Sequence, residues 1–223
     1  LRADPAYVRP DMTGARVLAI GELGLTQEEA DALVQPLRPL FGDTGFPISA
    51  PVPSRWYLAL PVEAKLPAFG EPEAVLGDDL FNHLPEGPEG RRWRALLNEA
   101  QILLHQHPLN ASRAAAGLPT VTSLCFWGAG RLPDHVRTPH AAVFGDEPML
   151  RALARRAGVP VAEEGATLMD LRTLRDVAAL DAAIAAGLAG GATLALDFAD
   201  GARLALSPGQ RWRLWRRPRT RLA

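Results

Sequence analysis

Three residues lie close together in the chain and carry chemistry suited to an anion: His107, Asn110 and Arg113. An imidazole, an amide and a guanidinium can together grip a phosphate or carboxylate, with the guanidinium supplying a two-pronged donor. They fall at one helix end and on the first turn of the next helix, where backbone N–H groups lack partners and negative charge is welcome. A plainer reading stands beside this one. In it Asn110 only caps the second helix, Arg113 is solvated and His107 is a satisfied buried histidine. A further candidate, Arg55, opens a strand beside a turn, where it can serve a site or lay its stem on apolar neighbours.

Periodicity gives the elements that would position these groups. Apolar residues recur at Trp93, Leu96, Leu97, Ala100, Leu103 and Leu104, a spacing of about 3.6 residues that predicts a helix with one buried face. Pro108 ends it, lacking an N–H and biasing His107 away from the helical region. Asn110 is expected to cap a short helix that runs to Ala116 and stops at Gly117. Val121 to Trp127 is apolar and rich in β-formers, hence a buried strand, broken by Gly128, Gly130 and Pro133.

Upstream, residues 1–11 are extended and proline-punctuated. Ala15 to Ile20 reads as a strand. Thr26-Gln27-Glu28-Glu29 is a capping box that opens a helix, and Pro36 and Pro39 should kink or end it. Phe46 to Ala50 and Arg55 to Leu60 form a hairpin, and residues 61–90 an irregular connection. Downstream come a strand at Ala141 to Phe144 and a helix from Asp146 to Ala157. That helix should turn Met149, Leu150, Leu153 and Ala154 inward. A strand at Val159 to Ala162 and a helix from Leu174 to Leu188 follow. Ala192 to Phe198 turns at Asp200-Gly201 into Ala202 to Leu206, and Gln210 to Arg216 is expected to add a third strand. The sum is an α/β fold with an α+β tendency: a mixed β-sheet flanked by helices, with a C-terminal antiparallel meander.

Composition narrows the classes. The chain has 223 residues, 48% of them hydrophobic, and a formal net charge of −1. That supplies a core, and the balanced charge gives no long-range pull toward nucleic acid or a membrane. Residues 211–221 hold six arginines with Trp212 and Trp215. Arginine beside aromatics can hold a nucleic-acid backbone and stack its bases. The neutral chain as a whole argues instead for tryptophans that pack and arginines that edge a sheet. The one cysteine, Cys125, excludes an internal disulfide, fits a reducing cytoplasm and reads as filler in a core strand. No apolar run approaches the roughly 18 residues of a spanning helix, so a cytoplasmic protein is expected. Because the chain opens at Leu1 and not methionine, a preceding segment is also expected.

Asp78, Asp79 and His83 could hold a metal, yet no second cluster has ligand spacing, and His105 and His107 diverge on their helix. No phosphate-cradling loop or nucleophile elbow occurs. Neither a metal nor a cofactor is expected.

Two stretches resemble a known family. HPLNASRAAAGLPTVTSLCFWGAGRLP, residues 107–133, is similar to the HPxN…R…G…P…N…WGxG segment of the archaeal-type cofactor-independent phosphoglycerate mutases of the alkaline phosphatase superfamily. The opening LRADPAYVRPDMTGARV resembles their Arg-Ala-Asn-Phe stretch, and Ser54 to Leu58 sits where they have a His-Arg segment leading a strand. The likeness covers roughly residues 1–60 and 96–160 and concerns their inserted substrate-binding domain. It implies that Arg2, Arg55, His107, Asn110 and Arg113 face a shared anionic pocket. Apart from it, Arg2 and Asp4 read as surface charges. Thr122 stands where the family usually has asparagine and Cys125 where it tends to have tryptophan, and no stretch matches the catalytic metal-binding domain. Nearly the whole chain also resembles RpfE-type regulatory proteins of plant-pathogenic and related proteobacteria, whose members often carry the mutase label. Residues 1–160 are thus expected to form a substrate-domain-like region, and 161–223 a helix and meander packed on it. The expected function is non-catalytic binding or regulation, with a small anionic ligand or a protein partner. A phosphoglycerate mutase or related phosphotransferase is the alternative, and an interaction scaffold touching nucleic acid through the Arg/Trp tail a second.

Overall fold

The computed structural model describes residues 1–12, 14–162, 166–191, 193–198 and 200–212. The chain divides into two compact units, Leu1–Leu132 and Pro133–Ala223. In the first unit the elements run β1 (Arg2–Pro10), β2 (Ala15–Ile20), α1 (Gln27–Val34), α2 (Leu37–Gly42), β3 (Ile48–Val52), β4 (Arg55–Leu58), α3 (Pro72–Val75), α4 (Gly87–His105), α5 (Pro108–Ala115) and β5 (Ser123–Trp127).

The sheet is built around β1. Arg2 faces Tyr57 of β4 on one side and Trp127 of β5 on the other. Ala6 faces Ile20 of β2 and Ser123 of β5. So β5 takes one edge of β1, while β4 and β2 divide the other edge between them, all antiparallel. Pro5 sits where one neighbour hands over to the next. Its carbonyl accepts from Gly21 N at 2.8 Å, just past the end of β2. The N–H it lacks would have pointed to the same handover, so the ladder loses little. Gly21 has φ +75, and a Cβ there would lie 2.9 Å from the Ser54 carbonyl oxygen, so the approach of β4 requires glycine.

One face of the sheet lies under α1, α2 and α4. Its core joins Leu33, Leu37, Phe41, Trp56, Trp93, Leu97 and Phe126. Trp93 stacks flat on Phe46, with ring centroids 5.4 Å apart at 9°, and meets Phe126 edge-on at 5.1 Å. α4 buries Trp93, Leu96, Leu97, Ala100 and Leu104, the stripe its spacing predicts. The capping box is present: Thr26 Oγ1 accepts from Glu29 N, and the Glu29 carboxylate accepts from Thr26 N. Pro36 separates α1 from α2. The opposite face buries Asp4, Ala6, Val8, Val17 and Cys125 with Val75. The connection across residues 61–90 closes this face, since Val17 N donates to Asp78 O and Gly77 N to Val17 O.

Some expectations move. The opening stretch is not merely extended but the central strand. α5 begins at Pro108 and is capped by His107, whose Nδ1 accepts from Leu109 N, so Asn110 lies inside the helix. β5 starts at Ser123, two residues after the expected Val121.

The second unit holds β6 (Val143–Phe144), α6 (Pro148–Ala157), β7 (Leu168–Met169), α7 (Val177–Ala189), β8 (Leu194–Asp197) and β9 (Arg203–Leu206). β6 and β7 pair in parallel, and the expected strand at Val159 to Ala162 reduces to one bridge between Val161 and Val143. Met149 and Leu153 of α6, expected inward, are 51% and 39% exposed. β8 and β9 form the expected hairpin. The expected third strand starts instead as a 3₁₀ turn over Pro208–Trp212, and residues 213–223, most of the Arg/Trp tail, lie outside the described residues. The α/β class stands: among the described residues there are seven helices, an antiparallel sheet and a C-terminal antiparallel hairpin. Among the described residues no helix is long and apolar enough to cross a membrane.

Cys125 yields a chemical check on this packing. Burial first, then the charge of Asp4, push its thiol up to about 12. At about pH 8 only on the order of one thiol in 10⁴ is ionised. The folded protein should therefore resist a disulfide-exchange reagent and react with one equivalent once unfolded in guanidinium chloride. Prompt labelling of the native state would contradict the burial.

Candidate functional site

Alternation along β1 sends Arg2 and Asp4 to the face away from α1, α2 and α4. Asp4 is 2% exposed. Its carboxylate accepts from Arg2 Nε at 2.9 Å, Arg2 Nη2 at 2.7 Å and Trp127 Nε1 at 2.7 Å, and more distantly from Trp56 N at 3.3 Å. Four donors from three strands thus surround one buried charge, which is what a buried carboxylate requires. The Arg2 guanidinium lies between its two cross-strand neighbours, 5.2 Å from the Tyr57 ring centroid and 4.8 Å from that of Trp127. Its side chain is 13% exposed, and Nη1 bonds to no described residue. Arg55 precedes Tyr57 by two residues on β4, so it stands on the same side of the strand, at the position beside Asp4. It has a polar or electrostatic contact of its own. The structure thus brings Arg2 and Arg55 to one end of one sheet face, and neither Arg2 nor Asp4 is the surface charge that composition alone suggests.

The other three candidates lie elsewhere. Asn110 is 6% exposed. Its Nδ2 donates to Leu104 O and Val121 O, each at 2.7 Å, and its Oδ1 accepts from Val121 N at 2.9 Å. Arg113 is 2% exposed. It donates from Nε to Pro119 O at 2.9 Å, from Nη1 to Glu29 at 2.7 Å and from Nη2 to Leu23 O at 2.6 Å. So Asn110 is not the helix cap and Arg113 is not solvated. Both turn their donors to the protein itself and fasten α5 to its surroundings. His107 keeps an intermediate exposure and lines a groove with Val8 and Arg9. From Arg2 to Val8 is six residues of strand, about 20 Å, so His107 stands well apart from Arg2.

Three contributors escaped the sequence reading. Trp127 and Tyr57 frame Arg2, and the signal that marks Trp127 is its alternation with Cys125 along β5. Glu29 was read only as half of a capping box, although its carboxylate also receives Arg113. Asp78 and His83 pair at 2.8 Å, and the backbone N–H of Asp79, ahead of His83, holds the Asp78 carboxyl below its usual range. Among the described residues no group of three or more His, Cys, Asp or Glu side chains is placed to hold a metal ion.

The buried bonds of α5 make a measurable claim. Asn110→Ala orphans three backbone groups and should lower the unfolding free energy by about 3 kcal/mol. Arg113→Met strands Glu29 and two carbonyls and should lower it by about 3–5 kcal/mol. Urea denaturation measures both. Losses under about 1 kcal/mol would mean that these side chains are not fastened as described.

No family model matches the chain. Over 102 residues it is 30% identical to the probable 2,3-bisphosphoglycerate-independent phosphoglycerate mutase of Geobacter sulfurreducens, covering 43% of this chain and 26% of that protein. Over 104 residues it is 31% identical to the 2,3-bisphosphoglycerate-independent phosphoglycerate mutase of Methanosarcina barkeri, with the same shares of 43% and 26%. Over 66 residues it is 30% identical to the mutase of that name from Methanothrix thermoacetophila, covering 30% of this chain and 17% of that one. The chain spans about a quarter or less of the length of these relatives. Among solved structures, the cofactor-independent phosphoglycerate mutase from Thermoplasma acidophilum aligns with a TM-score of 0.38 at 18% identity, covering 73% of this chain and 46% of that one. The chain is weakly homologous to part of an archaeal-type cofactor-independent phosphoglycerate mutase.

Proposed function

We propose that the first unit is a non-catalytic binding domain, derived from a mutase substrate domain, that holds a small phosphate- or carboxylate-bearing anion through Arg2 and Arg55. The observation that carries this reading is the state of Arg2. Its guanidinium is ordered in advance by the Asp4 carboxylate and two ring faces, while Nη1 is uncommitted among the described residues. A free arginine loses up to about 2 kcal/mol of rotamer entropy when it is fixed, and here much of that loss precedes binding. The class of ligand comes from the relatives, whose name specifies a phosphoglycerate, a molecule with both a phosphate and a carboxylate. Binding is proposed, and not turnover, because these 223 residues carry no motif resembling the catalytic metal-binding part of that family. A regulatory role of RpfE type, in the cytoplasm, extends the same reading from whole-chain resemblance, with a protein partner as a further target.

Calorimetric titration with 3-phosphoglycerate, alongside thermal unfolding, tests this. Saturable one-to-one binding is expected, with a melting temperature that climbs with ligand concentration. Arg55→Gln should weaken binding roughly 10–100-fold, since one charge-assisted hydrogen bond contributes about 1.5–3 kcal/mol. The absence of stabilisation by 3-phosphoglycerate, 2-phosphoglycerate or inorganic phosphate at millimolar levels would remove the reading. A coupled mutase assay with Mn²⁺ separates the alternative: turnover that Arg55→Gln abolishes would make the protein an enzyme.

A further inference from the structure

A groove of about 1040 Å³ runs between the second half of α4, the start of α5 and the last residues of β1. Its charged or titratable lining consists of Tyr7, Arg9, Arg94, His105 and His107, without a single carboxylate. Asp79, which caps the 3₁₀ turn Leu80–His83 beside it, is occupied by the backbone N–H groups of Ala15 and Phe81. Much of the polar lining is satisfied internally. Gln101 donates to Ser123, Thr122 exchanges hydrogen bonds with both backbone groups of Val8, and Arg94 donates to the Pro85 carbonyl. The walls between are apolar, formed by Val8, Leu80, Leu84 and Leu97. At the mouth Phe81 is 62% exposed and Ile102 49%.

We propose that this groove binds an organic anion with an apolar body. A single carboxylate, phosphate or sulfonate rests against Arg9 and His105, both exposed, and a hydrocarbon or aromatic portion lies along Leu97 and Ile102. Three arguments select this class. The charges facing the groove are all of one sign or neutral, so a cation gains nothing, and the ammonium of a zwitterion finds no partner. A small sugar phosphate would press its hydroxyls against Leu80, Leu84 and Leu97 without bonds in return. The volume lies at the upper end of small-molecule sites, about 300–1,000 Å³. A three-turn partner helix, at a diameter of about 10–12 Å, displaces on the order of 1,300 Å³ or more and would overfill it. This site is separate from the Arg2–Arg55 end of β1, and either can fail without the other.

The probes are 8-anilinonaphthalene-1-sulfonate, an aromatic body with one sulfonate, and N-phenyl-1-naphthylamine, the same rings uncharged. Fluorescence titration of the full chain at neutral pH and low salt should show one saturable sulfonate site. The uncharged probe should bind about tenfold more weakly, the effect of one favourable charge contact. Arg9→Gln should remove most of that difference by weakening only the sulfonate. Ile102→Glu, at a half-exposed position that tolerates a polar group, should weaken both probes and the sulfonate more. Near-UV circular dichroism identifies folded variants, because a loosened core also binds these dyes. Binding indifferent to both Arg9→Gln and Ile102→Glu overturns the proposal. So does binding lost instead on Leu153→Glu in the second unit, and so does displacement of the sulfonate by 3-phosphoglycerate, which would merge this groove with the Arg2–Arg55 end.

Discussion

The first unit depends on a negative charge placed where water cannot reach it. Asp4 lies on the central strand, 2% exposed, and is tolerated because β1, β4 and β5 each direct a donor at it. Taking a carboxylate out of water costs several kcal/mol unless its oxygens are bonded, so the surroundings must be assembled around it. The same bonds hold Arg2 still between two rings. In the proposed binding role, stability and recognition are thereby joined: what keeps the sheet together also holds the guanidinium in place. Arg113 does for the helices what Asp4 does for the strands. One buried cation ties α5 to the first turn of α1, to the loop carbonyl of Leu23 and to that of Pro119.

This arrangement changes the meaning of the segment that most resembles the mutases. In this chain His107 caps α5, Pro108 opens it, Asn110 stitches it to the backbone at Val121, and Arg113 anchors it. The three residues that look like a ligand grip in a line of sequence, His107, Asn110 and Arg113, all bond to the protein itself. In this chain that segment serves packing first. Arg2 and Arg55, the residues of the proposed anion site, lie far from it in sequence.

Elements whose environment is one-sided were legible in advance. α4 has a dry face and a wet face, so its period shows, and the box at Thr26 and Glu29 is a purely local signal. β1 escaped because Ala3 through Ala6 are all buried, which removes the alternation, and because Pro5 argues against a central strand. Nothing local reveals that β4 and β2 share an edge and leave Pro5 opposite their junction. The cap of α5 was misplaced because a histidine took the place usually held by Ser, Thr, Asp or Asn. Arg113 could not be read as buried, since its partner Glu29 is 84 residues away. Of the candidate site, the resemblance supplied Arg2 and Arg55, while their ring and carboxylate neighbours needed the register of the sheet.

That register reaches across most of the unit. Val8 meets Thr122 over 114 residues, and Asp4 meets Trp127 over 123. A growing polypeptide therefore makes β1 long before β5, the partner for one whole edge of it. Closing so long a loop carries an entropic penalty that only the final pairing offsets, and chains rich in such distant contacts fold in milliseconds to seconds, not microseconds. Until β5 emerges, β1 has an open edge and a carboxylate still in water, so the nascent unit is most vulnerable to mispairing during that interval.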